Sequence, residues 1–569
     1  MQKVWWKEAV AYQIYPRSFK DSNEDGIGDL QGVISKLDYL EDLGINVIWI
    51  CPIYKSPNDD NGYDISDYYD ILDEFGTMDD FDELLEECHR RGIRLIMDLV
   101  LNHTSDEHPW FIESRSSRDN PKRNYYIWSD GKVGAEPNNW ESMFNGSAWE
   151  YDGLTEQYYL HLYSVKQPDL NMENPLVRQE LTSMIRWWLD KGIDGFRVDA
   201  ITHIKKLPGL PDMPNPRHLR YVDAMVGHRN VEGIHEFLQQ FKRKAFADYD
   251  IMTVGEASGT PISEADKWIG EKNGAFNMIF QFEHVSLDFG AEGRWDCGPW
   301  SLAKLKQIMQ KWQIGLDGVG WNALYLENHD QPRSVSRFGD PVKYHKESAK
   351  MLATFYMLMQ GTPFIYQGQE IGMTNVHFHN LNEYRDVEIY NFYRERLMDG
   401  QDIEETMRRI RYRARDNART PMQWRDSPHG GFSGVVPWIR VNPDYHCINV
   451  EQQLTDPDSI LNYYKKIIAL RKSSETLIYG KYGSYMDKHP EIFAYTRSLG
   501  DEIYLIVLNF YGNNPEFNIP QELGAYQRDI VLSNYEQDNR RLNDSFVMRP
   551  YEALVYKLDP QSFLNDEAE

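Results

Sequence analysis

The chain has 569 residues, more than a single hydrophobic core organises, so one large domain with smaller ones attached is expected. A net charge of −27 excludes the basic footprint that a nucleic acid or an anionic membrane would demand, and the acidity reads as solubility. No segment approaches the roughly 20 apolar residues of a membrane helix, and the N-terminal MQKVWWKEAVAYQIYPRSF lacks the pattern of a signal peptide. Cys51, Cys88, Cys297 and Cys447 are scattered without metal-ligand spacing, so reduced thiols in a cytoplasmic protein are expected.

Short apolar runs at 12–15, 47–51, 94–100, 195–200, 252–256, 277–282, 324–327 and 363–366 read as strands. Helical periodicity lies between them. Val33, Ile34, Leu37, Leu40 and Leu43 share one face; so do Phe81, Leu84, Leu85 and Cys88, and again Leu181, Met184, Ile185, Trp188 and Leu189. Strict alternation predicts parallel βαβ units with right-handed crossovers, and eight strands is the number that closes a barrel. The expected fold is therefore α/β, a (β/α)8 barrel. An open doubly wound sheet is the competing topology, but it would usually carry a glycine-rich phosphate loop after its first strand, where this chain has SFKDSNEDGIGD. Two intervals are too long for barrel loops. The barrel domain is expected over 1–103 and 175–479, with an inserted domain at 104–174 and an excursion at 373–460. From 480 to 569 alternating strands such as EIFAYTRS and EIYLIVLNF predict an antiparallel β-domain.

Barrel chemistry sits at the C-terminal ends of the strands. Asp98, Asp199, Glu256 and Asp330 fall at the expected ends of strands three, four, five and seven, in DLVLNH, GFRVDA, TVGEA and ENHD. One such aspartate could simply cap a loop; four, three with His or Arg close by, argue for a site. Paired carboxylates at one mouth, without a phosphate loop or a metal cage, point to glycoside chemistry. A retaining mechanism needs one ionised carboxylate to attack the anomeric carbon and a protonated one, about 5–5.5 Å away, to expel the leaving oxygen. Arg197, two residues before Asp199 on the same strand face, is expected to keep Asp199 ionised. Burial in an apolar strand is expected to keep Glu256 protonated.

The motifs DLVLNHTS (98–105), GFRVDAIT (195–202), TVGEAS (253–258) and ENHDQPR (327–333), with NGYDISDY (61–68) and GTPFIYQGQE (361–370), closely resemble those of the α-amylase family of glycoside hydrolases. QPDLN (167–171) narrows the resemblance to its oligo-1,6-glucosidase and α-glucosidase branch. The resemblance implies Asp199 as nucleophile, Glu256 as acid/base and Asp330 as transition-state stabiliser, with Arg197 orienting Asp199. His103 and His329 would bond glucose hydroxyls, although His103 could instead be a supporting residue tied to Asp98. Tyr63 would stack under the sugar, and Asp98 would be structural. Asp60, in SPNDDNGYD, and Arg415, in RARDNARTPMQW, match a pair that closes the pocket behind a terminal glucose, a task suited to a buried carboxylate–guanidinium pair. Phe144, Tyr163 and Gln167 would line the same pocket, with Tyr163 standing where phenylalanine is expected.

In the loop Asp21 to Asp29, oxygen ligands alternate as in calcium loops, but Gly32 at the twelfth position rules out an EF-hand. The family commonly holds a structural calcium ion here, implying Asp21, Asn23, Asp25, Asp29 and the Ile27 carbonyl as ligands; the alternative is an Asp/Asn-rich turn without metal. Within the branch, valine after the nucleophile accompanies α-1,6 cleavage and alanine or threonine α-1,4. Ala200, and GEASGT where 1,6-specific members carry GEMPG, therefore imply an exo-α-glucosidase for maltose and short malto-oligosaccharides, with some transglucosylation. Oligo-1,6-glucosidase is the alternative. Trehalose-6-phosphate hydrolase and a non-catalytic sugar-binding relative are less favoured, and SVSRFGDP (334–341) argues against sucrose isomerase, which carries an RLDRD-type loop there. Small α-glucosides are the expected partners, acted on by a monomer or homodimer.

Overall fold

The computed structural model describes residues 3–290, 293–524, 526–536 and 545–560. Eight parallel strands form the centre: β1 (Ala11–Ile14), β2 (Val47–Ile50), β3 (Arg94–Val100), β4 (Gly195–Asp199), β5 (Met252–Glu256), β6 (Met278–Phe280), β7 (Ala323–Leu324) and β8 (Thr362–Tyr366). They pair in the order β6-β5-β4-β3-β2-β1-β8-β7, and a parallel bridge from Ile279 to Asn322 brings the two ends together. The expected barrel is the observed one.

The strands are apolar throughout because both faces are covered. Alternate residues divide between two cores. Val47, Trp49, Ile96, Met252, Val254, Met278, Phe280 and Phe364 fill the barrel, where the Phe280 ring lies 5.5 Å from Trp49 and 4.8 Å from Phe364. Ile48, Ile50, Leu95, Met97, Phe196 and Val198 face the surrounding helices. The interior is thus a packed plug. The inward rows run upward into polar residues: Ile96 leads to Asp98, Gly195 to Arg197 and Asp199, Val254 to Glu256. Register sets Arg197 opposite Asp98 on one side and Val254 on the other. A one-residue slip would turn these side chains out of the barrel.

Local chemistry sets the helices. Met78–Arg90 starts at a reciprocal Thr77–Asp80 capping box and buries Phe81, Leu84, Leu85 and Cys88. Pro175–Lys191 starts at Asn174 with proline in the first turn and stops at left-handed Gly192. The apolar face expected over 33–43 belongs to two helices, Leu30–Ile34 and Leu37–Leu43, broken at Lys36 (φ −116°, ψ 5°).

Most strand bounds fall within one or two residues of the expected ones, and two of the differences bear on the site. The fourth stops at Asp199 because Ala200 is left-handed, with φ +45° and ψ +30°. The seventh, expected at 324–327, is only Ala323–Leu324. Beyond it the Tyr325 carbonyl lies 2.7 Å from His284 Nε2, and the Glu327 carboxylate takes Arg333 and the Ser334 N–H, so the chain leaves the ladder and Asp330 sits on a loop.

Between 104 and 174 the chain builds a three-stranded antiparallel sheet of Trp128–Ser129, Trp149–Asp152 and central Gln157–Leu160. Its Trp140, Trp149 and Leu160 share a small core with Met213, Val222 and Ala224 from the loop after β4. After β8, helices Val387–Met398 and Ile403–Arg413 pack around Ile389, Phe392 and Ile410. A five-stranded antiparallel sheet, Lys481–Tyr485, Ile492–Leu499, Glu502–Asn509, Ala553–Pro560 and Tyr526–Ser533 in spatial order, forms the C-terminal unit. Residues 561–569, the end of the C-terminal domain expected from sequence, lie outside the described residues. Among the described residues no helix is long and apolar enough to cross a membrane.

Candidate active site

The barrel mouth gathers three carboxylates on one guanidinium. Arg197 Nη1 donates to Asp98 Oδ1 at 2.8 Å and to Asp199 Oδ1 at 2.7 Å, while Nη2 donates to Glu256 Oε2 at 2.6 Å. Arg197 and Asp98 are each 1 % exposed and Asp199 8 %, so these charges meet in a poorly screened site. Asp98 is fully committed: its other oxygen accepts from Trp49 Nε1 at 3.1 Å and from the Tyr63 hydroxyl at 2.9 Å.

The charge on Asp199 differs from the expectation that Arg197 keeps it ionised. Burial pushes Asp199 well above the usual carboxylate range, against the pull of Arg197, and repulsion from Glu256 and Asp98 adds to the rise. Glu256 Oε2 accepts a second donor, the Ala200 N–H at 3.0 Å, and its side chain is 19 % exposed. One cation shared three ways does not hold every carboxylate ionised.

Asp330 is unlike them. Arg419 Nη2 donates to it at 2.8 Å, Arg415 Nη1 lies 3.5 Å away and His329 Nε2 3.3 Å. Although burial opposes it, His329 and the Arg415 and Arg419 guanidiniums beside it hold the Asp330 carboxyl far below the usual range. Burial lowers His329 to about 3, so its ring is neutral. Gln13 Nε2 lies 2.8 Å from His329 Nδ1 and Tyr63 Oη 2.7 Å from Nε2. With Gln13 donating, Nδ1 accepts and the proton is on Nε2, which gives a chain from His329 N–H to Tyr63 O–H to Asp98. The Tyr63 and His329 rings stack at 5.2 Å and 7°, so one face of the Tyr63 ring is taken by protein.

The second end of the pocket is built from distant segments. Arg415 Nη2 donates to Asp60 Oδ1 at 2.9 Å, and Gln167 Nε2 donates to Asp60 Oδ2 at 3.1 Å. Asp60 is 4 % exposed and Arg415 5 %. Burial raises Asp60 to about 6 in spite of Arg415. His103 lies 3.1 Å from Gln167 and 3.3 Å from Asn102, and burial lowers it to about 4; Asp98 is not its partner. Tyr163 joins this wall, 5.1 Å from the His103 ring and 5.5 Å from Phe144, whose ring lies 4.8 Å from the Arg415 guanidinium.

Three further residues hold the wall and went unseen in the sequence. Asp386 binds Arg415 through Nε (2.7 Å) and Nη2, Glu388 lies 3.4 Å from Arg415 Nε, and Arg419 holds Asp330. Arg419 stands four residues after Arg415 in one motif, one helical turn on, a spacing that could have flagged it. Asp386 and Glu388 lie in the excursion, where no strand end or period marks them.

In the loop at 21–29, Asp21 accepts from the N–H groups of Asn23, Glu24 and Gly26. Asp29 accepts from the Ser22 N–H and hydroxyl and from Gly32 N–H, capping helix Leu30–Ile34 and leaving its carboxylate about one free lone pair. Both are buried, and among the described residues neither has a cationic partner within ion-pair distance. Two buried carboxylates with Asn23, Asp25 and a backbone carbonyl nearby form an oxygen-only donor set, which suits a hard cation. No three His, Cys, Asp or Glu side chains converge as a metal cluster among the described residues, so such an ion would lean on the Asn23 amide and Ile27 carbonyl oxygens.

The chain matches the family described as Alpha amylase, catalytic domain over residues 13–480, and Alpha-amylase SusG C-terminal domain over 492–555. It is 57 % identical to an oligo-1,6-glucosidase of Parageobacillus thermoglucosidasius, covering 98 % of this chain and 100 % of that one. An oligo-1,6-glucosidase of Bacillus cereus is 54 % identical with the same coverage. Among solved structures, trehalose-6-phosphate hydrolase of Bacillus licheniformis is similar with a TM-score of 0.91 at 46 % identity, over 98 % of this chain and 100 % of that chain. With the barrel, the C-terminal sheet and these matches along nearly its full length, the chain belongs to the α-amylase family of glycoside hydrolases.

Proposed function

We propose that the protein is a retaining exo-acting α-glucosidase that removes the terminal glucose of short α-glucosides. The observation that carries this is the Arg197 fork joining Asp199 to Glu256, opposite an ionised Asp330 and a pocket closed by Asp60 and Arg415. In the first step the Asp199 carboxylate forms a bond to the anomeric carbon. The bond to the leaving oxygen breaks, and that oxygen takes the Glu256 proton. In the second step water attacks the anomeric carbon, Glu256 takes back a proton, and Asp199 leaves; a sugar hydroxyl in place of water gives transglucosylation. Arg197, bonded to both Asp199 and Glu256, can stabilise negative charge on either as the proton is passed. Asp330 would stabilise the positive charge on the ring, with His103, His329 and Tyr63 placing the sugar.

The linkage reading rests on Ala200. Its small side chain, 4 % exposed directly after Asp199, leaves room for an α-1,4-linked second sugar and supports maltose and malto-oligosaccharides. The names of the two relatives favour α-1,6 cleavage, and theirs is the broader support. Measuring kcat/KM on maltose and isomaltose separates the two. A ratio of about ten or more for maltose is expected from a pocket difference of this size; faster isomaltose cleavage would establish the α-1,6 reading. The loop of Asp21, Asn23, Asp25, Ile27 and Asp29 would hold a calcium ion that neutralises buried carboxylates. Four unpaired cysteines support a reducing compartment, the cytoplasm.

A further inference from the structure

Helix Val387–Met398 holds two separate pieces of the pocket wall. At its start Asp386 and Glu388 grip Arg415. One turn on, Asn391 Nδ2 donates to the Phe144 carbonyl at 3.1 Å; a further turn on, Glu395 Oε2 accepts from Asn145 Nδ2 at 2.8 Å. Residues 388, 391 and 395 lie on one face of the helix. The loop they meet is a tight reversal. Asn145 N–H returns to the Ser142 carbonyl and Ser142 N–H to the Gly146 carbonyl, with Asn145 and Gly146 both left-handed at φ +67° and +81°. Its tip carries Phe144, whose ring packs 4.8 Å from the Arg415 guanidinium and 5.5 Å from Tyr163. The same helix therefore holds both the cation and the loop that carries the aromatic ring lying against it.

We propose that Asn391 and Glu395 are positioning residues for sugar binding: they hold the tip of loop 141–147 and so set where Phe144 closes the pocket. Neither touches the reacting carboxylates. The proposal rests on the reading of Asp60, Arg415 and Phe144 as the wall of a glucose site. Attachment at two consecutive residues, one through the Phe144 carbonyl and one through the Asn145 side chain, fixes the rotation of the intervening peptide and with it the direction of the Phe144 ring.

The test is steady-state kinetics on p-nitrophenyl α-glucoside with the full chain and variants Asn391→Ala, Glu395→Ala, Glu395→Gln and Asn145→Ala, each with its Tm. Loss of one such bond is expected to raise KM about three- to tenfold while kcat changes less than about twofold. Glu395→Gln should keep the original KM, because an amide oxygen still accepts from Asn145. The double variant Asn145→Ala/Glu395→Ala should be no worse than either single one, since both remove the same contact. Unchanged KM in both Asn391→Ala and Glu395→Ala would overturn the proposal. So would losses that follow Tm and are not rescued by Glu395→Gln. If the unaltered protein releases no p-nitrophenol, the glucosidase reading fails separately. Hydrogen exchange over 141–147 then decides the positioning role: faster exchange in Glu395→Ala supports it, and unchanged exchange contradicts it.

Discussion

Arg197 serves three carboxylates with two nitrogens, a shortage of positive charge at the barrel mouth. Buried carboxylates that are amply paired stay ionised, as Asp330 does between Arg419 and Arg415. Asp199 and Glu256 share Arg197 with Asp98, and burial drives Asp199 well above the usual carboxylate range in spite of it. That partition was not legible in the sequence. Arg197 two residues from Asp199 suggested a dedicated pair, because the register that also brings Asp98 and Glu256 to it is a tertiary fact. Ala200 shows a second limit. Its apolar character extended the fourth strand on paper, whereas its left-handed backbone turns its N–H onto Glu256. The identity of Ala200 carries the linkage reading, and a difference of about a methyl group is worth only about 1–3 kcal/mol, so preference rather than exclusion is expected.

At the scale of elements, the strands were legible because parallel barrel strands are apolar on both faces and end in the motifs that bear the chemistry. Those from 94 to 100 and 252 to 256 have the expected bounds. The excursion after β8 was not, because its helix Val387–Met398 acts through contacts with segments far away in the chain: Arg415, Phe144 and Asn145. The loop from Asp21 to Asp29 was legible as an oxygen-rich turn, while the three donors on Asp29 are visible only in the fold. If that loop holds calcium, chelation with EDTA should lower Tm by several degrees and added calcium should restore it, the expected size for a site occupied well above its Kd. An unchanged Tm after exhaustive chelation would leave the loop as a turn that needs no metal.

For the whole molecule, burial of ionisable groups sets an acid limit. His103, His161 and His284 are lowered to about 4, and His108, His228 and His329 to about 3, each chiefly by burial. Unfolded histidines titrate near 6.5. Their contribution is therefore complete above that pH. Below it the unfolded chain binds protons that the folded chain refuses, at about 1.4 kcal/mol per histidine per pH unit, until the folded values are reached. Asp60 and Asp416, raised to about 6, and Asp64 and Glu141, raised to about 7, act in the opposite sense, because the folded chain binds protons there first. Asp199 joins the raised carboxylates and His203, lowered well below its ordinary value, joins the histidines; the histidines are the more numerous, so Tm should fall from pH 7 to pH 5 at constant ionic strength, and a constant or rising Tm would show that the carboxylates dominate. The central claim concerns chemistry at the barrel mouth, and it predicts a stereochemical outcome. Proton NMR of the first glucose released from a short α-glucoside, recorded before mutarotation, should show the α-anomer, because Asp199 and Glu256 act through two successive inversions. Initial release of the β-anomer would contradict the assignment of Asp199 as nucleophile.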